Sequence, residues 1–407
     1  MSNAPAPLVP LKGSSPFITG LGIAQICSWG SLYYSFPQIA VAMEKDLGWS
    51  STELYGAATA GMLLSALVAV PAGSAIDRGH GRWVMAGGAL LAGLLLVGWS
   101  MVADLLWFYV FVGGIGAMQA ATLYEPAFAV IARRAGPLYA RSGITALTLW
   151  AGFASTVFFP LVEFLLAHVG WRGALQVLGL INIVICAGLY LLVIDSRRDQ
   201  YRPTHSAGKG RNGALLAALK KPVFWALSAS FAAFAVFFSA LTYHLYPLFQ
   251  QRGLDPTGIV FAIALIGPAQ VGGRLLISLF APKVTGAQLG AVVVLCFPVS
   301  VLVLLFGPNQ LWVASLATVI YAIGTGVMTI VRGIVIPEMI SREGYGAISG
   351  AISACMLLAR AVGPLAAAWI MLATGGYTGT LIAMLVVAVV IVVCFWAAAL
   401  AARPAAE

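Results

Sequence analysis

Charged residues are scarce in this chain of 407 residues, where Asp, Glu, Lys and Arg together make up 9% of the sequence. A soluble globular domain carries roughly 25% charged residues, so the composition excludes that class of protein. Apolar residues account for 61% of the chain, and its mean hydropathy is +0.97. The chain is therefore predicted to be an integral membrane protein.

Cysteine and histidine are also rare, with five and four residues respectively. The cysteines lie inside apolar segments without CxxC spacing, which is typical of inert buried thiols. No phosphate-binding loop of the GxxxxGK[ST] type is present to couple the protein to ATP. We predict neither a cofactor, a metal site nor an enzyme, because an enzyme needs a compact set of reactive groups. The membrane segments offer one clear carboxylate, Glu125, and one histidine, His244.

Twelve segments are apolar and long enough to cross a bilayer, whose core of about 30 Å needs roughly 20 residues per helix. The alternating pattern of an outer-membrane barrel is absent, so the predicted fold is an all-α membrane protein with twelve transmembrane helices. The segments are 16–43, 53–76, 84–103, 105–132, 140–167, 172–194, 222–250, 257–281, 286–306, 310–336, 346–373 and 377–401.

The basic residues predict the orientation, because Lys and Arg are retained on the cytoplasmic side. With both termini in the cytoplasm, that side holds 16 basic residues and the outside holds 3. Topology then explains the net charge of +9, and nucleic acid binding is the poorer interpretation. We expect no cleavable signal peptide, and the predicted location is the bacterial inner membrane.

The longest polar stretch, residues 195–221, is predicted to be a flexible cytoplasmic linker between six-helix halves at 1–194 and 222–407. The halves resemble one another. Tyr33-Tyr34-Ser35-Phe36-Pro37 matches Tyr243-His244-Leu245-Tyr246-Pro247, and Glu125 falls on Arg332 at an offset of 207. A parallel repeat of two six-helix bundles, with a substrate site between them near the midplane, is a transporter architecture.

The loop after the second span reads Gly73-Ser74-Ala75-Ile76-Asp77-Arg78-Gly79-His80-Gly81-Arg82. It resembles the loop signature of the major facilitator superfamily, G-x-x-x-D-R-x-G-x-R, with the second glycine one place late at Gly81. The resemblance implies that the loop holds the two halves together on the cytoplasmic side. The predicted gating residues are Asp77, Arg78, Arg82, Arg133 and Arg134, since an acidic group at a helix end can pair with basic groups. The alternative is an ordinary basic cytoplasmic loop.

Two further stretches resemble the monocarboxylate transporters and the bacterial oxalate/formate antiporters within that superfamily. They are Asp46-Leu47-Gly48-Trp49-Ser50-Ser51-Thr52-Glu53-Leu54 and the sequence GPAQVGGR at 267–274. In the carriers an aspartate precedes the arginine by four residues, whereas here Gln270 precedes Arg274. A lysine of their first span is also absent here.

The resemblance implies that two cationic residues, on the eighth and eleventh spans, clamp a small carboxylate; Arg274 and Arg360 occupy those spans. Helical spacing puts Gln270 on the face of Arg274, and Ser353 on the face of Arg360. A guanidinium matches a carboxylate with two parallel hydrogen bonds. An arginine at the depth of Arg360 costs at least about 2.5–3.5 kcal/mol. The alternative is that each arginine bonds helix carbonyls or extends to the interface.

Other membrane residues receive predicted roles. Arg332 is assigned to the inner gate. Glu125 is assigned to proton coupling, because apolar surroundings favour a protonated carboxyl, with a permanent ion pair as the equal alternative. Tyr33, Tyr243 and His244 are predicted to bind substrate, and His244 also to carry a proton. The alternatives are aromatic anchors at the membrane interface and a neutral buried imidazole.

These assignments predict a secondary transporter that moves a small organic anion, a monocarboxylate or related carboxylate, by alternating access. Its predicted partners are the anionic substrate, protons and membrane lipid, and the protein is expected to be a monomer. Proton symport is favoured by Glu125 and His244. Anion exchange and export of an amphipathic, drug-like compound remain the alternatives within transport. A membrane enzyme and a substrate sensor are the less favoured classes.

Overall fold

The computed structural model describes residues 15–198, 216–280, 284–341 and 345–402. Helices account for the regular structure of these residues, and no strand occurs among them. The chain forms two compact units, Met1–His205 and Ser206–Glu407. The boundary between the units falls inside the predicted linker 195–221.

Unit 1 contains eight α-helices and three π-helical turns in its described residues. The π-helical turns are Gly30–Tyr34, Ile76–His80 and Ile181–Cys186. The α-helices are α1 Pro16–Trp29, α2 Phe36–Leu47, α3 Ser51–Ala75, α4 Gly81–Trp99, α5 Leu105–Thr122, α6 Tyr124–Ala151, α7 Ala154–Leu180 and α8 Ala187–Val193.

Unit 2 contains eight further long or medium helices in its described residues. They are α9 Pro222–Gln251, α10 Pro256–Ala264, α11 Ile266–Phe280, α12 Gly286–Val293, α13 Cys296–Phe306, α14 Leu311–Met339, α15 Tyr345–Thr374 and α16 Tyr377–Ala401. Helix α9 packs along α15 and α16, while α11 packs along α14.

Nine helical stretches in the described part of the chain are long and apolar enough to cross a membrane. Two of them, Ser51–Trp99 and Gly143–Val193, run for 49 and 51 residues. Each contains two predicted spans, and each reverses at a glycine with positive φ, Gly79 at 95° and Gly170 at 66°. The first predicted span is divided among α1, a π-helical turn and α2. The all-helical membrane fold predicted from sequence is confirmed.

The fourth predicted span, 105–132, agrees with the apolar stretch Leu105–Ala135, but the helix is interrupted inside it. Helix α5 ends at Thr122, and α6 runs without interruption from Tyr124 to Ala151, through the predicted loop. The interruption falls at Leu123 because Pro126 has no backbone N–H for the carbonyl four residues before it.

The eighth predicted span is also divided, into α10 and α11, at Leu265. Pro268 follows three residues later, and a proline cannot donate to the preceding turn. The cores are apolar, as expected for membrane helices. Buried Leu21, Met85 and Ile131 pack together in unit 1, and Phe237 packs on Phe297 in unit 2.

Candidate functional site

Arg360 lies in α15, four residues before Pro364. Because Pro364 has no N–H, the Arg360 carbonyl loses its partner within the helix. The hydroxyl of Ser239 on α9 donates to that carbonyl at 2.7 Å. A Cβ at Gly363 would lie 2.6 Å from the Val236 carbonyl oxygen, so only glycine allows the two helices to approach this closely. The proline and the glycine together fix the backbone of Arg360 against α9.

The guanidinium of Arg360 lies over an aromatic ring. Its Cζ atom is 5.3 Å from the centroid of Phe238, whose ring stacks on Tyr321 at 6.5 Å. Tyr321 is buried and shares a hydrogen bond of 2.7 Å with Thr242. Attraction between a cation and an aromatic face is strengthened when the pair is shielded from water. Arg360 is thus held by a stack that joins α15, α9 and α14.

His244 on α9 is fully buried, with both ring nitrogens at hydrogen-bond distance from a partner. Nε2 is 2.9 Å from the Pro364 carbonyl oxygen, and Nδ1 is 2.8 Å from the Tyr377 hydroxyl. A carbonyl only accepts, so Nε2 carries the hydrogen and donates it. In the neutral ring Nδ1 then accepts from Tyr377. These contacts agree with the alternative of a buried, hydrogen-bonded imidazole, and the transport roles of His244 stay predictions.

Arg274 and Gln270 lie one turn apart on α11 and both face α14. The Nε atom of Arg274 donates to the Gly326 carbonyl at 3.0 Å, and Gln270 Nε2 donates to the Thr325 hydroxyl at 3.1 Å. A Cβ at Gly326 would lie 2.7 Å from the Gln270 carbonyl oxygen. The missing side chain at Gly326 therefore allows α11 to bring both polar groups against α14.

Arg332 on α14 reaches across to α15. Its Nη2 atom is 3.5 Å from the Ser353 hydroxyl, and its Nη1 atom is 3.7 Å from the Met356 sulfur. Both partners are neutral, and within the described residues Arg332 has no carboxylate partner. The guanidinium is half-buried in an apolar segment. A cation in this setting favours an anion that can approach it.

The predicted site residues of unit 2 are thus distributed over several helices. Arg274 and Gln270 lie against α14, while Arg360 lies against α9. Arg332 and Ser353, which were assigned to a gate and to the substrate respectively, are in contact. The clamp between Arg274 and Arg360 stays a prediction.

Glu125 begins α6 in unit 1, and its side chain is exposed. The break before it follows from Pro126, which leaves the Thr122 carbonyl without a partner in its own helix. Gln25 Nε2 donates to that carbonyl at 2.6 Å and the Tyr190 hydroxyl donates at 3.1 Å. The buried side chains of Gln25 and Tyr190 therefore stabilise the helix break that immediately precedes Glu125.

The loop with the superfamily signature is held within unit 1. Arg133 is buried and donates through Nη1 to the backbone carbonyl of Asp77, whereas the sequence suggested the carboxylate as its partner. The positive φ falls at Gly79, one place before the family position rather than after it. Asp77 and Arg78 are exposed. This geometry leaves both charged side chains at the surface of the unit.

The other two predicted gating arginines also make contacts within unit 1. Arg134 Nη1 donates to the Asp195 carbonyl at 3.0 Å, and its Cζ atom lies 5.1 Å from the Phe17 ring centroid. The Cζ atom of Arg82 lies 5.6 Å from the Trp83 ring centroid. Gating itself remains a prediction for all five residues.

The tyrosines of the internal repeat are buried. Tyr33 has an exposed fraction of 0% and Tyr243 one of 2%, which argues against anchors facing the interface. Each stands four residues before a proline, Pro37 or Pro247. The repeat therefore places a buried tyrosine beside a proline-weakened helical turn in both units.

A carboxylate in the fifth predicted span was missed by the sequence analysis. Glu163 on α7 accepts a hydrogen bond of 3.0 Å from Gln38 Nε2 on α2. Glu163 lies between apolar residues well inside the segment 140–167, so a direct search of that segment for acidic residues would have found it. The membrane segments thus hold a second acidic residue besides Glu125.

The stretch Asp46–Leu54, which resembles the monocarboxylate transporters, is held by side-chain hydrogen bonds where α2 ends and α3 begins. Asp46 Oδ2 accepts from Trp171 Nε1 and Arg172 Nη1, both at 2.8 Å. These donors, the indole first and the guanidinium second, hold the pKa of Asp46 below its ordinary value. Ser50 and Glu53 then form a reciprocal capping box that starts α3. The motif thus joins the end of α2 to the residues that follow the Gly170 kink of α7, and it begins the next helix.

This arrangement of apolar helices, proline breaks and embedded arginines defines a membrane transporter. The family model of the Major Facilitator Superfamily matches residues 21–329, and the chain belongs to this family. The human protein named monocarboxylate transporter 11 is 27% identical over 372 residues, which cover 86% of this chain and 74% of that protein.

Solved structures of transporters share the fold. A bacterial homologue of the human lysosomal transporter Spinster, in an inward-facing and unoccupied conformation, has a TM-score of 0.73 at 16% identity, covering 96% of this chain and 98% of that one. The nucleoside transporter NupG has a TM-score of 0.71 at 12% identity, covering 95% of this chain and 98% of that one. These likenesses establish the fold.

Proposed function

We propose that this chain carries a small organic carboxylate across a membrane by alternating access, in symport with protons. The observation that carries the proposal is the contact set of Arg332, whose guanidinium meets the neutral Ser353 and Met356 in an apolar segment. A substrate carboxylate could pair with the Arg332 guanidinium through two charge-assisted hydrogen bonds. The likeness to a protein named as a monocarboxylate transporter supports the same substrate class.

Arg274 and Arg360 complete the proposed anion site. Arg274 is held against α14 by the bond from its Nε to the Gly326 carbonyl, and a guanidinium matches a carboxylate with two parallel hydrogen bonds. Arg360 is oriented by the ring face of Phe238, which stabilises the cation. Gln270 and Ser353 add neutral hydrogen-bonding groups beside the arginines, while Tyr33, Tyr243 and His244 are the proposed substrate contacts from the internal repeat.

Coupling and gating are assigned to the charged residues of unit 1. The exposed carboxylate of Glu125 is the proposed site of proton exchange, because an acid must reach water to load and release a proton. The loop with Asp77, Arg78 and Arg82 is the proposed cytoplasmic gate, together with Arg133, which donates to the Asp77 carbonyl, and Arg134, which donates to the Asp195 carbonyl. The proposed setting is an inner membrane, with a monomer whose termini are both cytoplasmic.

The test uses purified protein reconstituted in liposomes, with labelled lactate, formate and oxalate as probes under an imposed pH gradient. We expect at least one probe to accumulate, and Arg360→Ala to abolish accumulation because half of the proposed clamp is lost. Arg198→Ala is the matched control, since Arg198 pairs with Asp195 at the surface of unit 1. Undiminished uptake by Arg360→Ala would remove Arg360 from the site, and accumulation without a pH gradient through exchange would replace symport by antiport.

A further inference from the structure

Gln38 and Glu163 form a hydrogen-bonded pair inside unit 1. Gln38 is almost completely buried, with an exposed fraction of 1%. Its Nε2 atom donates to Glu163 Oε2 at 3.0 Å and to the Phe159 carbonyl at 3.2 Å. Because Phe159 lies one turn before Glu163 on α7, a single amide bridges the carboxyl group and the backbone of one helical turn.

The pair lies within the apolar part of the helices. Gln38 precedes Asp46 by eight residues on the unbroken helix α2, so the pair is about 12 Å along the axis of α2 from the Asp46–Trp171 contact. A depth of about 12 Å is more than a third of a bilayer core of about 30 Å. An acidic residue at this depth marks a site of function rather than a surface group.

The buried amide is only partly satisfied. Its oxygen, Gln38 Oε1, is buried and has no hydrogen-bond partner among the described residues. The orientation of the amide is fixed, because the Phe159 carbonyl only accepts and therefore requires Nε2 on its side. The Nε2 atom of Gln38 thus donates to Glu163, whereas its Oε1 atom has no donor among the described residues.

A protonated Glu163 can donate a hydrogen bond to Gln38 Oε1, whereas an ionised Glu163 has no hydrogen to donate. If Glu163 takes a proton on Oε1, its O–H can donate to Gln38 Oε1 while Gln38 Nε2 still donates to Glu163 Oε2. The amide and the acid then form a ring of two hydrogen bonds. In the ionised state Glu163 cannot donate to the amide oxygen, and only the bond from Gln38 Nε2 joins the two side chains. Gln38 therefore has a bonding group for each protonation state of Glu163.

Few ionisable groups stand on the elements that pack against α7. They are Glu44, Lys45 and Asp46 on α2, Cys27 on α1, Tyr33 and Tyr34 in the adjoining π-helical turn, Arg82 on α4, Cys186 in the second π-helical turn that packs on α7, and His168 and Arg172 on α7 itself. Asp46 and Arg172 are bonded to one another at the loop end.

We propose that Glu163 is a proton-binding site of this transporter, separate from Glu125, and that Gln38 holds the neutral acid through a two-bond ring. The step moves one proton from water to Glu163 Oε1 and returns it to water on release, with no other bond made or broken. The proposal deepens the proposed function by adding a second proton site to the same transport cycle, and its role in coupling rests on that function.

Infrared difference spectroscopy of the purified full-length protein, titrated from alkaline to acid pH, tests proton binding without any substrate. We expect a carbonyl band of a protonated carboxylic acid that is absent in Glu163→Gln, an isosteric change that keeps the side chain in place. In Gln38→Leu the same band should move to higher frequency, because the acid loses its amide partner. Glu338→Gln is the matched control, since Glu338 caps α12 through the N–H of Gly286, and it should retain the band.

A titration of Glu163→Gln that is identical to the unmodified protein overturns the proposal. Transport forms the second arm, using lactate exchange and lactate accumulation under a pH gradient. Glu163→Gln should retain exchange and lose accumulation at least tenfold; unchanged accumulation would remove Glu163 from coupling. If no carboxylate probe is transported by the unmodified protein, the proposed function fails, and the infrared measurement still decides whether Glu163 binds a proton.

Discussion

Arg332 and Ser353 lie on different helices of unit 2, with the guanidinium Nη2 3.5 Å from the serine Oγ. The distance is at the outer limit of a hydrogen bond, so the contact orients the guanidinium without consuming its charge. Each terminal nitrogen of Arg332 carries a second N–H, which can donate to an anion while the first contacts Ser353 or Met356. This relationship connects a residue assigned to the gate with one assigned to the substrate.

Replacing Arg332 tests that connection. We expect Arg332→Ala to reduce carboxylate uptake more than tenfold, since a hydrogen bond to a charged group contributes about 1.5–3 kcal/mol. Ser353→Ala should reduce uptake about threefold, because it only loosens the orientation of the guanidinium. In the Arg332→Ala background the serine change should have no further effect. Independent, additive losses in the double variant would show that the two residues do not act together.

Tyr377 provides a test of the environment of His244. Tyr377→Phe removes the hydroxyl at 2.8 Å from Nδ1 and leaves a buried acceptor without a donor. We expect a loss of about 1–3 kcal/mol in stability, measured as a lower apparent melting temperature in detergent. Tyr109→Phe is the control, since Tyr109 is 36% exposed. Equal melting temperatures for the two variants would contradict a structural role for the hydrogen bond.

Two glycines of α15 should respond in opposite directions to alanine. A Cβ at Gly363 would meet the Val236 carbonyl oxygen at 2.6 Å, whereas nothing lies within 4 Å of a Cβ at Gly350. Overpacking should make Gly363→Ala less stable by about 1–3 kcal/mol and separate Ser239 from the Arg360 carbonyl. Gly350→Ala should be neutral or stabilising by about 0.5–1 kcal/mol, because alanine favours helix. Thermal unfolding of both variants checks the difference, and a stable Gly363→Ala protein would contradict the close helix contact.

The Asp46 contact predicts a dependence of stability on acid. Its pKa is lowered in the folded protein, chiefly by the Trp171 indole and then by Arg172, from an ordinary value of 3.8. The unfolded chain therefore binds the proton first as the pH falls. The contribution of Asp46 is fully present above the ordinary value and is lost as the pH falls through the lowered value.

Asp46→Asn is the variant that measures this contribution. We expect its melting temperature to be lower than that of the unmodified protein near neutral pH, and the difference to shrink on acidification below about pH 4. A difference that stays constant over that range would show that ionisation of Asp46 does not contribute to stability.

The membrane class and the helical fold were accessible from the sequence because composition and hydropathy depend on many residues together. Individual contacts were not. The periodicity along α14 or α15 cannot show that Arg332 meets Ser353, because the two residues lie on different helices and are separated by 21 positions. The loop glycine was assigned to Gly81, whereas the backbone uses Gly79 for its positive φ, since two nearby glycines make the position ambiguous.

Prolines explain the remaining differences between prediction and structure. Pro126 divides the fourth span after Thr122, and Pro268 divides the eighth span after Ala264. A hydropathy average cannot predict these helix breaks, because it does not depend on whether proline lacks a backbone N–H. Glu163 was overlooked for a related reason, since a single carboxylate hardly alters the mean hydropathy of its long apolar segment.

The proline-freed carbonyls have a mechanical consequence. The Arg360 and Thr122 carbonyls are already bonded to side chains outside their own helices, Ser239 for the first and Gln25 with Tyr190 for the second. Bending at either point breaks no helical backbone bond and at most exchanges a side-chain bond worth about 1 kcal/mol. Arg360 and the region of Glu125 thus lie at points where side-chain bonds from other helices take the place of a helical backbone bond.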